Sequence, residues 1–189
     1  MCRFRLCFAR LSRKRRKRYA RAGGHASASG ARPTEPARQT SRLSRLRKSR
    51  AKVALILDTG PLLAALDAAD PDHARCAALL TDSTEDLVVP ALVLAELDYW
   101  CARRLSPDAW LIFLDDVLAG AYRIEPPTAV DLARCRDLQA QYRDLALGVV
   151  DASVVALAER LDEPKLATLD QRHFRVVRPS HVASLELRP

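Results

Sequence analysis

Large rings are scarce in this chain: aromatic residues are 5% of its 189, so any core must be built mainly from Ala, Leu and Val. No apolar run reaches 18 residues, which excludes a simple membrane-spanning helix. No apolar stretch of signal-peptide length follows the N-terminal charges, and the expectation is a cytoplasmic protein. The five cysteines are odd in number and form no C-x-x-C pair, so neither a disulfide framework nor a zinc ribbon is indicated. The four histidines, His25, His73, His173 and His181, lack zinc spacing as well.

Acids are nearly missing from one end. Residues 1–52 hold 18 Lys/Arg and a single acid, Glu35, whereas residues 53–189 hold 13 Lys/Arg and 22 acids. The net charge of +8 is therefore a basic arm of +17 attached to an acidic domain of −9. The arm is low in complexity, around a Gly/Ser/Pro-rich middle, and cannot bury enough apolar surface to offset its ordering entropy. It reads as disordered alone, and three roles are open to it: a nucleic-acid-binding tail, an organelle transit peptide, or an upstream stretch outside the native protein. The third is favoured, with the native chain starting near Val53.

What is present in the domain is an alternation of strand and helix. VALIL (53–57) is apolar throughout, as a strand covered on both faces requires. Gly60-Pro61 starts a helix, with Pro61 at its first position, and Asp70-Pro71 repeats the device, making Asp70 a cap. DLVV (86–89), YRIE (122–125) and KLATL (165–169) read as further strands, and RVVR (175–178) as a possible fifth. Helices are expected from Pro90, from Pro107 to about Leu118, from Thr128 to Leu145 and from Val150 to Leu161. DQRHF reads as a turn. The fold class is α/β, a parallel sheet of four to five strands with helices on both faces.

Four acids close or follow apolar runs: Asp58, Glu96, Asp151 and Asp170. In an open parallel sheet, ligands gather beyond the carboxyl ends of the strands. Asp58 ends the first strand and Asp170 follows the fourth, so the two meet if those strands are neighbours. Asp151 falls in the first turn of a helix, where the dipole favours a carboxylate. Glu96 shares a helix face with Leu92 and Tyr99. Each acid also has a plain account, as a cap, a first-turn acid or a partner of Arg103 or Arg104. Jointly those accounts leave several like charges crowded at one edge, and a divalent cation bound by oxygen is the simplest remedy.

These stretches, LILDTGPLLA, VPALVLAELDYW, YRDLALGVVDASVVALAERL and LATLDQRHF, in this order, resemble the PIN-domain ribonucleases, and more closely the VapC-type toxins of bacterial toxin–antitoxin pairs. The resemblance covers about 53–178 and excludes the arm. It implies a PIN domain over 53–189 that hydrolyses RNA phosphodiester bonds with Mg²⁺ or Mn²⁺. It also implies that Asp58, Glu96, Asp151 and Asp170 form the catalytic pocket. Asp58 and Asp151 would be direct metal ligands, with Asp170 completing the site and Glu96 tending the attacking water. Thr59 and Thr168 are candidate hydrogen-bond donors to these carboxylates. Arg103, Arg104, Arg172 and His173 are candidate substrate contacts; ordinary solvated charges are the alternative. A cognate antitoxin, an RNA substrate and a homodimer, its face on helices within 90–118, are the partners the resemblance implies.

Other readings are weaker. Asp58-Thr59-Gly60 spells the aspartic-protease triplet, but that fold is β-rich. An aspartyl phosphatase wants an acid where Gly60 stands, and a response receiver wants a lysine where RVVR offers arginine. A catalytically silent PIN-like scaffold that binds RNA or a partner is the main alternative.

Overall fold

Strand β1 is Ala54–Leu57, and all four of its residues are buried, as the absence of any polar side chain in the run demands. The computed structural model describes residues 53–189, so the readings of the arm lie outside the described residues. Asp58 ends β1 and caps helix α1 (Thr59–Leu66), its carboxylate accepting from the Thr59 N–H. That cap starts the helix two residues before the expected point, so Pro61 is third and not first. Its missing N–H is harmless there, because first-turn donors have no intrahelical acceptor.

Helix α2 (His73–Asp82) also starts differently from expectation. Asp72 is its N-cap, whereas the Asp70 carboxylate accepts from Asp72 N at 2.8 Å and shapes the preceding turn. Strand β2 (Asp86–Pro90) runs into α3 (Ala91–Arg104), followed by α4 (Pro107–Leu118) and β3 (Arg123–Glu125). Helix α5 (Ala129–Gln141) opens with a reciprocal capping box between Thr128 and Asp131. It stops short of the expected Leu145, with a single 3₁₀ turn over Arg143–Leu145 instead. The break falls at Tyr142, whose hydroxyl accepts from Arg178 N at 3.0 Å and so ties this corner to a distant loop. Helix α6 (Val149–Leu161), β4 (Lys165–Ala167), α7 (Gln171–Val176) and β5 (Glu186–Arg188) complete the described chain.

Two expectations at the end of the chain are overturned. DQRHF is not a turn, because the Asp170 carboxylate accepts from the N–H groups of Arg172 and His173 and nucleates α7. RVVR is not the fifth strand. Arg175 and Val176 finish α7, and Val176 is left 49% exposed. The edge strand is the later ELR, with Leu166 opposite Leu187.

The sheet has five parallel strands in the order β3-β2-β1-β4-β5, flanked by seven α-helices among the described residues. The chain builds outward from β1 to β3, then returns to the other side of β1 to place β4. The direction of winding therefore reverses between β1 and β4, and this is where an open α/β sheet leaves a crevice. Beneath it the core is aliphatic, with Leu55, Ile56, Leu57, Leu87, Val88, Leu97 and Leu166 fully buried.

Candidate active site

The reversal between β1 and β4 makes neighbours of two acids 112 positions apart in the chain. Ile56 pairs with Leu166 and Leu57 with Ala167, so both strands end at the same level. Asp58 leaves the end of β1, its N–H bonded to Ala167 O at 3.0 Å. Two residues beyond β4, Thr168 and Leu169 lead to Asp170. Asp151 comes from the first turn of α6 and Glu96 from the middle of α3. All four line one open cleft of about 550 Å³, together with Thr59, Gly60, Leu63, Ala64, Asp70, Trp100, Arg104 and Leu169.

Asp58 sits deepest, at 6% exposure. Its two oxygens accept from Thr59 N at 2.7 Å and Thr168 Oγ1 at 2.8 Å. Burial nonetheless dominates and pushes its pKa up to about 6; the two hydrogen bonds oppose that rise, and the charges of Asp151 and Glu96 add to it. Asp151 is raised as well, again mainly by burial, with Asp170 and Glu96 adding to the rise while His173 and the Gly148 backbone oppose it. Glu96 is held by Thr59 Oγ1 at 2.6 Å, not by Arg103 or Arg104. The hydroxyl of Thr168 also accepts from Asp170 N at 3.0 Å, so one threonine joins the Asp58 and Asp170 segments. Thr168→Val should therefore move the pH midpoint of any Asp58-dependent activity above its wild-type position and cost about 1 kcal/mol of stability. A pH–rate profile and a urea melt check both, and an unmoved midpoint would assign Thr168 a purely structural part.

The sequence candidates for substrate contact divide. Arg104 lines the cleft, while Arg103 lies over the Tyr99 ring, 5.0 Å from its centroid, on the exposed side of α3. Arg172 is exposed and meets Asp170 through its backbone N–H. His173 does something different: its Nδ1 stands 3.1 Å from Asp151 Oδ2 and 3.1 Å from Asp170 Oδ2. It faces the two acids rather than reaching outward. Two cleft residues were missed from sequence, Trp100 and, in this role, Asp70. Trp100 could have been found, since it lies four residues after Glu96 on the same helix face. Asp70 could not, because only the fold of the α1–α2 turn brings it to the rim.

A cluster of carboxylate oxygens, with Asp58 and Asp151 raised in pKa mainly by burial, suits a hard divalent cation better than zinc or copper. Among the described residues no group of three or more His, Cys, Asp or Glu side chains is arranged to hold a metal ion. That is compatible with Mg²⁺, which keeps several waters and takes only one or two carboxylates. The donor set fits; Asp58 and Asp151 are the pair whose burial most needs a cation.

Residues 55–179 match the PIN domain, about two thirds of the chain and every acid of the cleft. The chain belongs to the PIN-domain family. It is similar to ribonuclease VapC26 of Mycobacterium tuberculosis (strain ATCC 25618 / H37Rv), at 39% identity over 125 residues, which is 66% of this chain and 93% of that protein. In three dimensions it resembles VapC20 of Mycobacterium tuberculosis, described as a sarcin-ricin loop cleaving toxin. That match has a TM-score of 0.62 and 18% identity, and covers 72% of this chain and all of the other. At that identity the structural match shows the fold alone. The PIN fold also disposes of the aspartic-protease reading, because here Asp58-Thr59-Gly60 joins a parallel strand to a helix.

Proposed function

We propose that this PIN domain is a metal-dependent ribonuclease of the VapC type, the toxin of a toxin–antitoxin pair. The observation that carries the reading is the convergence of Asp58, Glu96, Asp151 and Asp170 at the crevice between β1 and β4. The 39% identity to a ribonuclease over nearly its full length supports the substrate class. Asp58 and Asp151 would hold the cation, Mg²⁺ or Mn²⁺, and Asp170 would complete the site. When bound, the cation supplies positive charge to a phosphate oxygen and lowers the pKa of a water.

The chain's own residues do the rest. Thr59 fixes one oxygen of Glu96, leaving the other to orient the attacking water and take its proton. Thr59 N and Thr168 Oγ1 hold both oxygens of Asp58 in place, so the ionised carboxylate needs no reorganisation. His173 Nδ1 stands between Asp151 and Asp170 and would help keep the two carboxylates in place. The water attacks phosphorus in line and the ester P–O bond breaks, with no side-chain nucleophile.

The partners follow from the same reading. A cognate antitoxin restrains the enzyme and RNA is its substrate, in the cytoplasm. Among the described residues no helix is long and apolar enough to cross a membrane. Leu111 and Leu118, two turns apart on α4, are 56% and 85% exposed and offer a homodimer face.

The test is cleavage of a panel of single-stranded and hairpin RNAs by the full chain. With Mg²⁺ at least one RNA should be cut, and EDTA should abolish the cutting. Cleavage that persists in EDTA would remove the metal from the reading. Binding without any cleavage would favour a catalytically silent scaffold.

A further inference from the structure

We propose that Trp100 and Arg104 form a nucleotide subsite of the cleft, where the base next to the scissile phosphate stacks on Trp100 and Arg104 takes the neighbouring phosphate. The subsite presupposes the ribonuclease activity proposed above and gives it a path for the RNA strand.

Glu96, Trp100 and Arg104 follow one another at four-residue steps along α3, so they form a stripe on one helix face. Each step climbs about 6 Å, similar to the spacing of successive phosphates in a stretched single strand. The stripe begins at an acid of the cleft, and both later members line the same cleft. A strand whose scissile phosphate lies at the acids would therefore pass over the ring and then the guanidinium.

The chemistry of the two side chains fits such a strand. Arg104 lies over the Trp100 ring, its guanidinium carbon 4.5 Å from the centroid. That contact, at an exposed site, is weak enough to exchange for a phosphate, freeing the ring face for a base. Beside it stands a second pair of the same kind, with Arg103 over Tyr99, and Tyr99 meets Trp100 edge-on at 5.2 Å. Alternating rings and guanidinium planes are a stacking surface for unpaired bases.

Charge points to the same ligand. The cleft carries five carboxylates, and Arg104 is the one Lys or Arg among the described residues that line it. It stands in no ion pair among the described residues, so its charge is available. A polyanion entering an acidic domain needs such a cation. A cationic protein segment drawn in by the acids would be opposed by Arg104.

The test uses the full chain, so its readout must not respond to RNA held by the basic arm. In an Asp58→Asn, Trp110→Phe variant, Trp100 is the sole tryptophan and the RNA is not cut. Titration with a 12-nucleotide single-stranded RNA of mixed sequence should quench Trp100 fluorescence saturably, an effect that binding to the arm cannot produce. In the otherwise unmodified enzyme, Trp100→Ala should raise KM about tenfold with kcat nearly unchanged, and Trp100→Phe should restore most of the loss. Arg104→Gln should reduce the salt dependence of KM by about one phosphate contact. If the unmodified chain cuts RNA but Trp100 is not quenched and Trp100→Ala leaves KM unchanged, the subsite is refuted and the ribonuclease reading stands. If the unmodified chain cuts no RNA, both fall together.

Discussion

Asp58→Asn should lower RNA cleavage by well over about 100-fold, more than the 10–100-fold that losing an outer partner of a metal site usually costs. The substitution is nearly isosteric, so packing around β1 is preserved. Thr59 N can still donate to the amide oxygen, and the Thr168 hydroxyl can turn to accept from the amide nitrogen. What disappears is one negative charge at the deepest point of the cleft, where it is 6% exposed. A neutral amide there is a poor ligand for a hard cation, and the charge it removes is the one set closest to the core. The fold should be retained, so circular dichroism and the oligomeric state should match wild type while cleavage is lost. Asp170→Asn should be milder on cation binding, because the Asp170 side chain is 43% exposed and its Oδ1 is engaged by the backbone of α7. If Asp58→Asn cut RNA at the wild-type rate, Asp58 would be only a helix cap and the pocket would need another centre.

How much of this was legible in sequence follows from where the information lies. The run VALIL announced a strand covered on both faces because nothing polar interrupts it, though Val53 proves exposed and outside the strand; Asp58 at its end announced an edge. The adjacency of β1 and β4 was only a condition in the sequence, since strand order is a long-range property. Once it holds, Asp58 and Asp170 must meet. Thr59 and Thr168 were named from sequence as donors to the carboxylates, and they hold Glu96 and Asp58; which threonine meets which acid was not legible, because Thr59 lies 37 residues from Glu96. Glu96 was grouped with Leu92 and Tyr99, whereas the cleft side of its helix carries Trp100 and Arg104. The last strand was misread for a local reason. RVVR is β-branched and short, yet the Asp170 cap commits the preceding residues to a helix, and a cap with two backbone bonds outweighs a weak strand preference. His173 shows the same limit. From sequence it was a cation near the mouth; the short helix α7 turns it inward against two acids.

The second large effect concerns pH and metal together. Asp58 has a folded-state pKa of about 6 against 3.8 for a freely solvated Asp carboxyl, mainly because it is buried. The sign is therefore the reverse of an ordinary paired carboxylate. Below about pH 4 the group is neutral in both states, and its contribution to stability is fully present. Between about pH 4 and 6 the unfolded chain ionises while the folded one resists, so stability is lost. That rise corresponds to about 3 kcal/mol, complete above pH 6. Asp151, raised for the same main reason, acts in the same direction. Glu159 acts in the opposite direction: its pKa is lowered, with Arg134 and Ser180 overcoming its burial, so the total curve mixes both signs. Subtracting the urea-derived stability of Asp58→Asn from that of the wild type isolates Asp58. In EDTA the difference should swing against the wild type by about 3 kcal/mol between pH 4 and pH 7. Mg²⁺ should reverse the swing, because a cation that binds the ionised folded state stabilises it by mass action. Its effect should be near zero at pH 4, large at pH 7.5, and much smaller in Asp58→Asn at either pH. A difference that stays flat with pH in EDTA would mean that the buried carboxylate is already compensated within the protein. The cleft would then hold no strain for a cation to relieve, and the case for Asp58 as the anchoring ligand would go with it.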